Sequence, residues 1–295
     1  MKLTIAVITM NRARQLKEAL ESCFACDLPK DTQFVIIDNA STDNTDEMVQ
    51  ELFESNIYTH YYERLPENLG VGGGRNYAFS KSSGEYVYFL DDDAYIDLSV
   101  DNLFFKKAID ILDSHPDIMS LTTQIYDNMM QQDRNSESKI VIEQGLYESF
   151  MMCGGSHFLR KSFFPNNAPF FGNKYGFEEF LPSLRIADAG KRNAYCPSLN
   201  VIHNPLVDKW SNNPELDILA AATGYAIKSM CYPLVVQPIL RLSFWKRRKL
   251  YLKDKEQVRK TKRFAKEIKR TYSVGKRIKL ITIVRLFHCF GMMVW

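Results

Sequence analysis

Hydrophobic and polar positions change period several times along the first ninety-odd residues. Leu3-Thr-Ile-Ala-Val-Ile8 alternates as a strand does and stops at Thr9-Met-Asn11. Asn11 reads as a helix N-cap, because Ala13, Leu16, Ala19, Leu20, Cys23 and Phe24 then recur at helical spacing. Phe34-Val-Ile-Ile37 is a second buried strand, closed by Asp38-Asn39, and residues 41–46 hold cap candidates for a helix over 43–54. Residues 57–62 predict a third, amphipathic strand. A loop over 66–70 then leads to Gly72-Gly-Gly-Arg-Asn76 and a short helix to Ser82. Tyr86-Val-Tyr-Phe-Leu90, β-branched and aromatic, is the fourth strand. The alternation β-α-β-α-β-α-β predicts an α/β fold: a doubly wound, mostly parallel sheet with helices on both faces.

Beyond residue 100 the pattern loosens. It predicts a helix over 100–112, a strand over 118–123 and a polar loop or hairpin over 126–139. Residues 150–159 contain Cys153-Gly-Gly-Ser156. A helix over 178–189 tolerates Pro182 in its first turn. A strand over 195–203, a loop over 205–214 and a helix over 215–231 follow. From Pro238 onward the chain reads as basic amphipathic helix.

Charge divides the chain at the same place. Residues 241–295 hold 18 Lys/Arg against 3 Asp/Glu, whereas residues 1–240 carry a balance of −12. The total of 295 residues fits one large α/β domain with a basic helical extension. The extension should seek an anionic surface, either a membrane or a partner. The other readings of it are a helical hairpin packed on the catalytic domain and a homo-oligomer interface. No recognition module accompanies the charge, so nucleic acid is not expected. Neither a leader segment nor a run of 18 apolar residues is visible, and six scattered cysteines fit a reducing, cytoplasmic setting. Cys23 and Cys26 lie on the apolar face of the first helix and read as core.

Three polar clusters, Thr9–Asn11, Asp38–Asn39 and Asp91–Asp93, sit just after strand ends, where ligands bind in such sheets. Asp91-Asp92-Asp93 is the strongest signal. Three adjacent carboxylates repel, and a hard cation relieves the repulsion; Asp91 and Asp93, at i and i+2, point the same way. Asp38 either contacts a base or ribose or caps its own turn. Gly70-Val-Gly-Gly-Gly-Arg-Asn76 lacks the spacing and position of a dinucleotide fingerprint, so its glycines allow close backbone approach. Arg75 is open to two readings, a phosphate or sugar contact and a structural salt bridge. Glu178-Glu179 follow an aromatic, glycine-rich loop and are candidates for a general base. His203 ends a strand and is either a core residue or a third metal ligand.

Together these stretches resemble inverting family 2 glycosyltransferases of the GT-A fold. The resemblance rests on Val7-Ile-Thr-Met-Asn-Arg12, Val35-Ile-Ile-Asp-Asn-Ala-Ser-Thr-Asp-Asn-Thr45, Asn68-Leu-Gly-Val-Gly-Gly-Gly-Arg-Asn76 and Phe89-Leu-Asp-Asp-Asp-Ala94, with Cys153–Ser156 and Gly176–Arg185 on the acceptor side. It implies a UDP- or dTDP-sugar donor, a glycan or lipid-linked glycan acceptor, and Mn²⁺ or Mg²⁺. It places Thr9, Asn11, Arg12, Asp38, Arg75 and Asp92 around the nucleotide, and Asp91, Asp93 and His203 around the ion. Glu179 becomes the base with Glu178 in reserve, and Gly154 and Gly155 face the sugar or acceptor. Glu179 departs from the family's usual Asp, and Leu181 replaces a further acid. The resemblance covers about residues 1–205; the expected layout is a catalytic domain over 1–235, with a nucleotide-sugar half over about 1–95 and an acceptor half over about 96–235. A basic extension over 236–295 would lie on the inner face of the cell membrane. The alternatives are a non-catalytic carbohydrate-binding protein on the same fold and a nucleotidyltransferase.

Overall fold

The computed structural model describes residues 1–54, 56–135, 138–205, 214–251 and 255–295. The first part of the chain runs β1 (Leu3–Thr9), α1 (Ala13–Phe24), β2 (Gln33–Asp38), α2 (Thr45–Glu54), β3 (Thr59–Arg64), α3 (Gly70–Lys81) and β4 (Tyr86–Asp91). Next come β5 (Ala94–Ile96), α4 (Phe104–Ser114), β6 (Ile118–Asp127), β7 (Gln132–Asp133), β8 (Val141–Glu143), β9 (Leu146–Ser149) and β10 (Ser156–Arg160). The rest is α5 (Phe180–Asp188), β11 (Arg192–His203), α6 (Pro214–Cys231), α7 (Gln237–Tyr251), α8 (Lys255–Thr271) and α9 (Leu280–Phe290). The loop expected over 205–214 falls, for 206–213, outside the described residues.

One sheet runs in the order β3-β2-β1-β4-β10-β6-β11-β9-β8, with β5 on β11 and β7 on β6. Strands β3, β2, β1 and β4 are mutually parallel. Strand β10 is antiparallel to both neighbours, and β11 is parallel to β6. Strand alternation sends Leu3, Ile5 and Val7 to a core shared with α1, α2 and α4. Ala6, Val35, Ile37, Val87 and Phe89 go to a second core with Ala78 and Phe79 of α3 and Ile186 of α5. Helices therefore cover both faces, as the pattern predicts.

Two local expectations are corrected. Asn11 is not the N-cap of α1. It is held at φ 55° by its own hydrogen bonds, accepting from Thr42 N at 2.6 Å, and Asp43 Oδ2 reaches the first helical amide, Ala13 N, at 3.3 Å. The glycine run is not a loop before a helix but the first turn of α3 itself. Gly72 has a reason to be there: a Cβ on it would stand 1.9 Å from the Phe171 carbonyl oxygen. Asn76 completes this contact by accepting from Phe170 N at 2.9 Å and donating to Phe170 O at 3.0 Å. The loop around 170–174 is thereby stapled to α3.

The C-terminal helices pack on the sheet domain. Ala265 and Ile268 of α8, Ile283 and Leu286 of α9, and Trp295 share a third core with Phe171, Phe180, Ala222 and Ile227. The 235/236 boundary lies inside this core, between Tyr232 and Leu240.

Candidate active site

The carboxyl ends of β1, β4, β6 and β11 converge with the start of α5. Asp91, the last residue of β4, and Asp93, two residues on, meet His203 at the end of β11. One ligand atom of each lies within 4.8 Å of the others. His203 Nε2 is 3.2 Å from Asp93 Oδ1, and His203 Nδ1 is 3.1 Å from Asp127 Oδ2. Asp127 ends β6 and is itself fixed by the amides of Met129 and Met130 and by Arg134 Nε at 2.8 Å. Arg134 NH2 stands 2.8 Å from His203 Nδ1. The imidazole thus has a partner in either tautomer. Nδ1 can accept from Arg134 while Nε2–H donates to Asp93, or Nδ1–H can donate to Asp127 and leave the Nε2 lone pair facing the two acids. The second arrangement, with a carboxylate behind the histidine, is the usual support of a metal-binding imidazole. Two carboxylates and one imidazole suit Mn²⁺ or Mg²⁺, with Mn²⁺ the better match to nitrogen.

Arginines balance the acids. Arg12 NH1 donates to Asp92 Oδ1 and Asp93 Oδ2, each at 2.8 Å, while Thr9 Oγ donates to Asp92 Oδ2 at 2.7 Å. Burial still pushes the Asp92 carboxyl up to about 6, against the pull of Arg12. Arg75 is buried, with 3% of its surface exposed, and is held by three carboxylates. It donates to Asp91 Oδ1 at 2.8 Å, Glu178 Oε1 at 2.9 Å and Glu179 Oε1. Of its two readings, the salt bridge is the one this geometry carries; the guanidinium has little surface left for a phosphate. Desolvation pushes Asp91 up, but Arg75, His203 and Arg134 outweigh it and leave the carboxyl below its usual range. Burial, reinforced by Glu179 next door, pushes Glu178 up to about 8. Its Oε2 is buried with no hydrogen-bond partner among the described residues.

Asp38 has no exposed surface. Its Oδ1 accepts from Ser41 N at 2.7 Å and its Oδ2 from the Tyr62 hydroxyl at 2.8 Å. The observed work of Asp38 is to cap its turn and to hold the Tyr62 hydroxyl, with both carboxylate oxygens engaged. Gly154 and Gly155 separate the acids: a Cβ on Gly154 would fall 2.5 Å from Glu179 Oε1, and one on Gly155 3.2 Å from Asp91 Oδ2. Glu178 and Glu179 immediately precede α5, with Glu179 in its N-cap position. Asp127 and Arg134 are the site residues that sequence reading passes over. Asp127 is an acid at the end of a strand, as Asp38 and Asp91 are, but Gln124 breaks the apolar run that marks the other two.

The model of glycosyl transferase family 2 matches residues 4–172, more than half of the chain, and the chain belongs to that family. The GalNAc(5)-diNAcBac-PP-undecaprenol β-1,3-glucosyltransferase of Campylobacter jejuni is 35% identical over 92 residues, 31% of this chain and 29% of that protein. The poly(ribitol-phosphate) β-N-acetylglucosaminyltransferase TarS of Staphylococcus aureus is 32% identical over 117 residues, 39% of this chain and 19% of that one. The chain thus spans under a third of the length of either relative. The fold is GT-A. Residues 1–349 of S. aureus TarS in complex with UDP-GlcNAc superpose with a TM-score of 0.60 at 22% identity, over 75% of this chain and 66% of that one. The mannosyltransferase PcManGT of Pyrobaculum calidifontis, in complex with GDP-Man and Mn²⁺, gives 0.61 at 17% identity, over 100% and 81%. Family membership sets aside the nucleotidyltransferase reading.

Proposed function

We propose that this protein transfers a sugar from a UDP- or dTDP-sugar to a hydroxyl of a glycan or lipid-linked glycan, in one displacement with inversion. One observation carries the reading: a single guanidinium, Arg75, binds both Asp91 of the metal-capable trio and Glu179 at the head of α5. The acids that would brace a leaving diphosphate and the acid that would take a proton are therefore set around one fixed point. Asp91, Asp93 and His203 would hold Mn²⁺ or Mg²⁺, which as a Lewis acid stabilises charge developing on the diphosphate. Thr9, Arg12 and Asp92 form the floor on the nucleotide side. Asp38 would meet the base by exchanging the Tyr62 hydroxyl on its Oδ2 for a base donor, and Asn11, already exposed, would line the approach. Glu179 accepts the proton of the acceptor hydroxyl as its oxygen bonds to the anomeric carbon. The bond from that carbon to the diphosphate oxygen breaks in the same step, and the electron pair leaves with the nucleotide. Arg75 fixes Glu179 through Oε1, and Gly154 leaves room beside that carboxylate. Relatives and neighbours named for UDP-GlcNAc, for GDP-Man with Mn²⁺ and for undecaprenol-linked glycans support the class of donor and acceptor.

The test is Glu179→Gln. Turnover in a screen of UDP, dTDP and GDP sugars with Mn²⁺ should drop by about 10²–10⁴-fold. Donor binding by calorimetry should survive. Loss of donor binding would assign Glu179 to structure or to the metal instead.

The C-terminal helices bear on where the acceptor is met. On α9, Thr282, Ile283, Leu286 and Phe290 face inward, while Ile281, Val284 and Phe287 are exposed. On α8, Ala265 and Ile268 face inward, with Lys262, Arg263, Lys266, Lys269 and Arg270 outward. An exposed apolar stripe on α9 and a basic face on α8 are the two features an anionic membrane surface carrying a lipid-linked acceptor would meet. No described helix is long and apolar enough to cross a membrane.

A further inference from the structure

A cavity lies on the face of the β6–β11 pair opposite Asp127 and His203. It has a volume of about 560 Å³, and its floor is the outer half of the β6–β11 pair. Register places Gln124 opposite Asn200 and Tyr126 opposite Ile202, so all four share one face. The alternate residues Asp127 and His203 belong to the other face and serve the metal-capable trio. Space for the cavity comes from the register shift between Cys196 and Asn200, where residues 197–199 leave the ladder. Asp97, Asn135 and Tyr195 also line it, and the Tyr195 hydroxyl donates to Gln124.

We infer that this cavity is a saccharide-binding site separate from the donor site. Its lining has the chemistry a sugar needs. Tyr126, 37% exposed, offers a ring face to the C–H side of a pyranose. Gln124 Oε1 already accepts from the Tyr195 hydroxyl, Asn135 Nδ2 donates to Thr123 O at 2.6 Å and Asp97 Oδ1 accepts from Ser99 N at 2.9 Å, so the groups offered to a sugar are the Asn200 amide, Gln124 Nε2, Asn135 Oδ1, Asp97 Oδ2 and the Asp133 carboxylate. None of the described lining residues is Lys or Arg, which disfavours a phosphate or nucleotide there. The volume is within the range of small-molecule sites and admits a short oligosaccharide. The inference goes beyond the proposed reaction, since it assigns no role to Glu179 or to the trio. It is also linked to them: Asp133 lines the cavity, and the next residue, Arg134, holds Asp127 and His203.

Saturation-transfer NMR with cellotetraose and chitotetraose at millimolar concentration tests it on the full chain. At least one probe should receive saturation, and UDP with Mn²⁺ should not displace it. Tyr126→Ala and Asp97→Asn, two variants that fold independently of one another's success, should each weaken binding by about tenfold. UDP–Mn²⁺ affinity, measured by calorimetry on the same samples, should stay at the wild-type value. No transfer from either probe, transfer unchanged in both variants, or complete displacement by UDP would each overturn the inference. So would a Ca²⁺ titration that binds at Asp97 and Asp133 and expels the sugar. A protein that binds the tetrasaccharide but not UDP would sink the donor reading and leave this one standing.

Discussion

The sheet end and the C-terminal helices handle charge in opposite ways. At the sheet end, charges are inside and each arginine is committed: Arg12 to Asp92 and Asp93, Arg75 to Asp91, Glu178 and Glu179, Arg134 to Asp127. On α8 the cations are outside and lie over aromatic faces, Lys262 5.0 Å above Trp245 and Lys269 5.6 Å above Tyr225. Buried charges must be bonded, and that fixes their geometry; exposed ones remain free to meet another surface. The first arrangement suits chemistry, which needs preset positions. The second suits association, which needs reach and sign.

The comparison can be broken at either end. The largest effect is expected from Arg75→Met, which strands three acids and should cost about 3–5 kcal/mol in chemical denaturation. A loss below 1 kcal/mol on that measurement would mean water already reaches this cluster. Glu178→Gln probes the same cluster through pH. The ordinary carboxyl value is 4.5, and the folded protein holds Glu178 at about 8. Between those values the folded state keeps a proton that the unfolded chain has released, so stability falls as pH rises. Metal-free Glu178→Gln should lose that fall and gain about 3–4 kcal/mol at pH 8 over wild type, relative to pH 5. Parallel profiles would show that Glu178 is ionised in the fold. Asp127→Asn should weaken Mn²⁺ binding, followed by electron paramagnetic resonance, by about 10–100-fold through the histidine it supports. Unchanged binding would remove His203 from the metal set. The smallest change belongs to the other region. Lys266→Gln should shift stability by no more than about 0.5 kcal/mol. It should still reduce partitioning to phosphatidylserine vesicles, by about 1 kcal/mol. Truncation at residue 240 is the wrong instrument here, because it would strip Ala265, Ile283 and Trp295 from a shared core.

Much of this was legible beforehand, for reasons visible in particular residues. Strands β1, β2 and β4 are buried on both faces and end abruptly in polar side chains, so both their extent and their ligand-bearing ends stand out. His203 was legible as the end of an apolar run. Asp127 was hidden because Gln124 and Tyr126 interrupt the apolar run before it, and those two residues face the cavity on the other side of the pair. The start of α3 was hidden because glycine is a poor helix former, and only contact with Phe171 explains its presence. The inward packing of α8 was masked by its charge count, since three or four apolar positions suffice for one buried stripe, whereas α9 carries a single charged residue, Arg285, in an otherwise largely apolar helix.

The bare Cα of Gly72 and the paired bonds of Asn76 have a practical bearing on engineering. They clamp the 170–174 segment to the helix that also carries Arg75. A designer who transplants that segment from another transferase to change the acceptor would be replacing half of a hinge-free joint. The graft should seat only when the incoming segment presents its backbone to Gly72 and Asn76 as Phe170 and Phe171 do. A misfit there would be felt one residue away, at the guanidinium that orients Glu179.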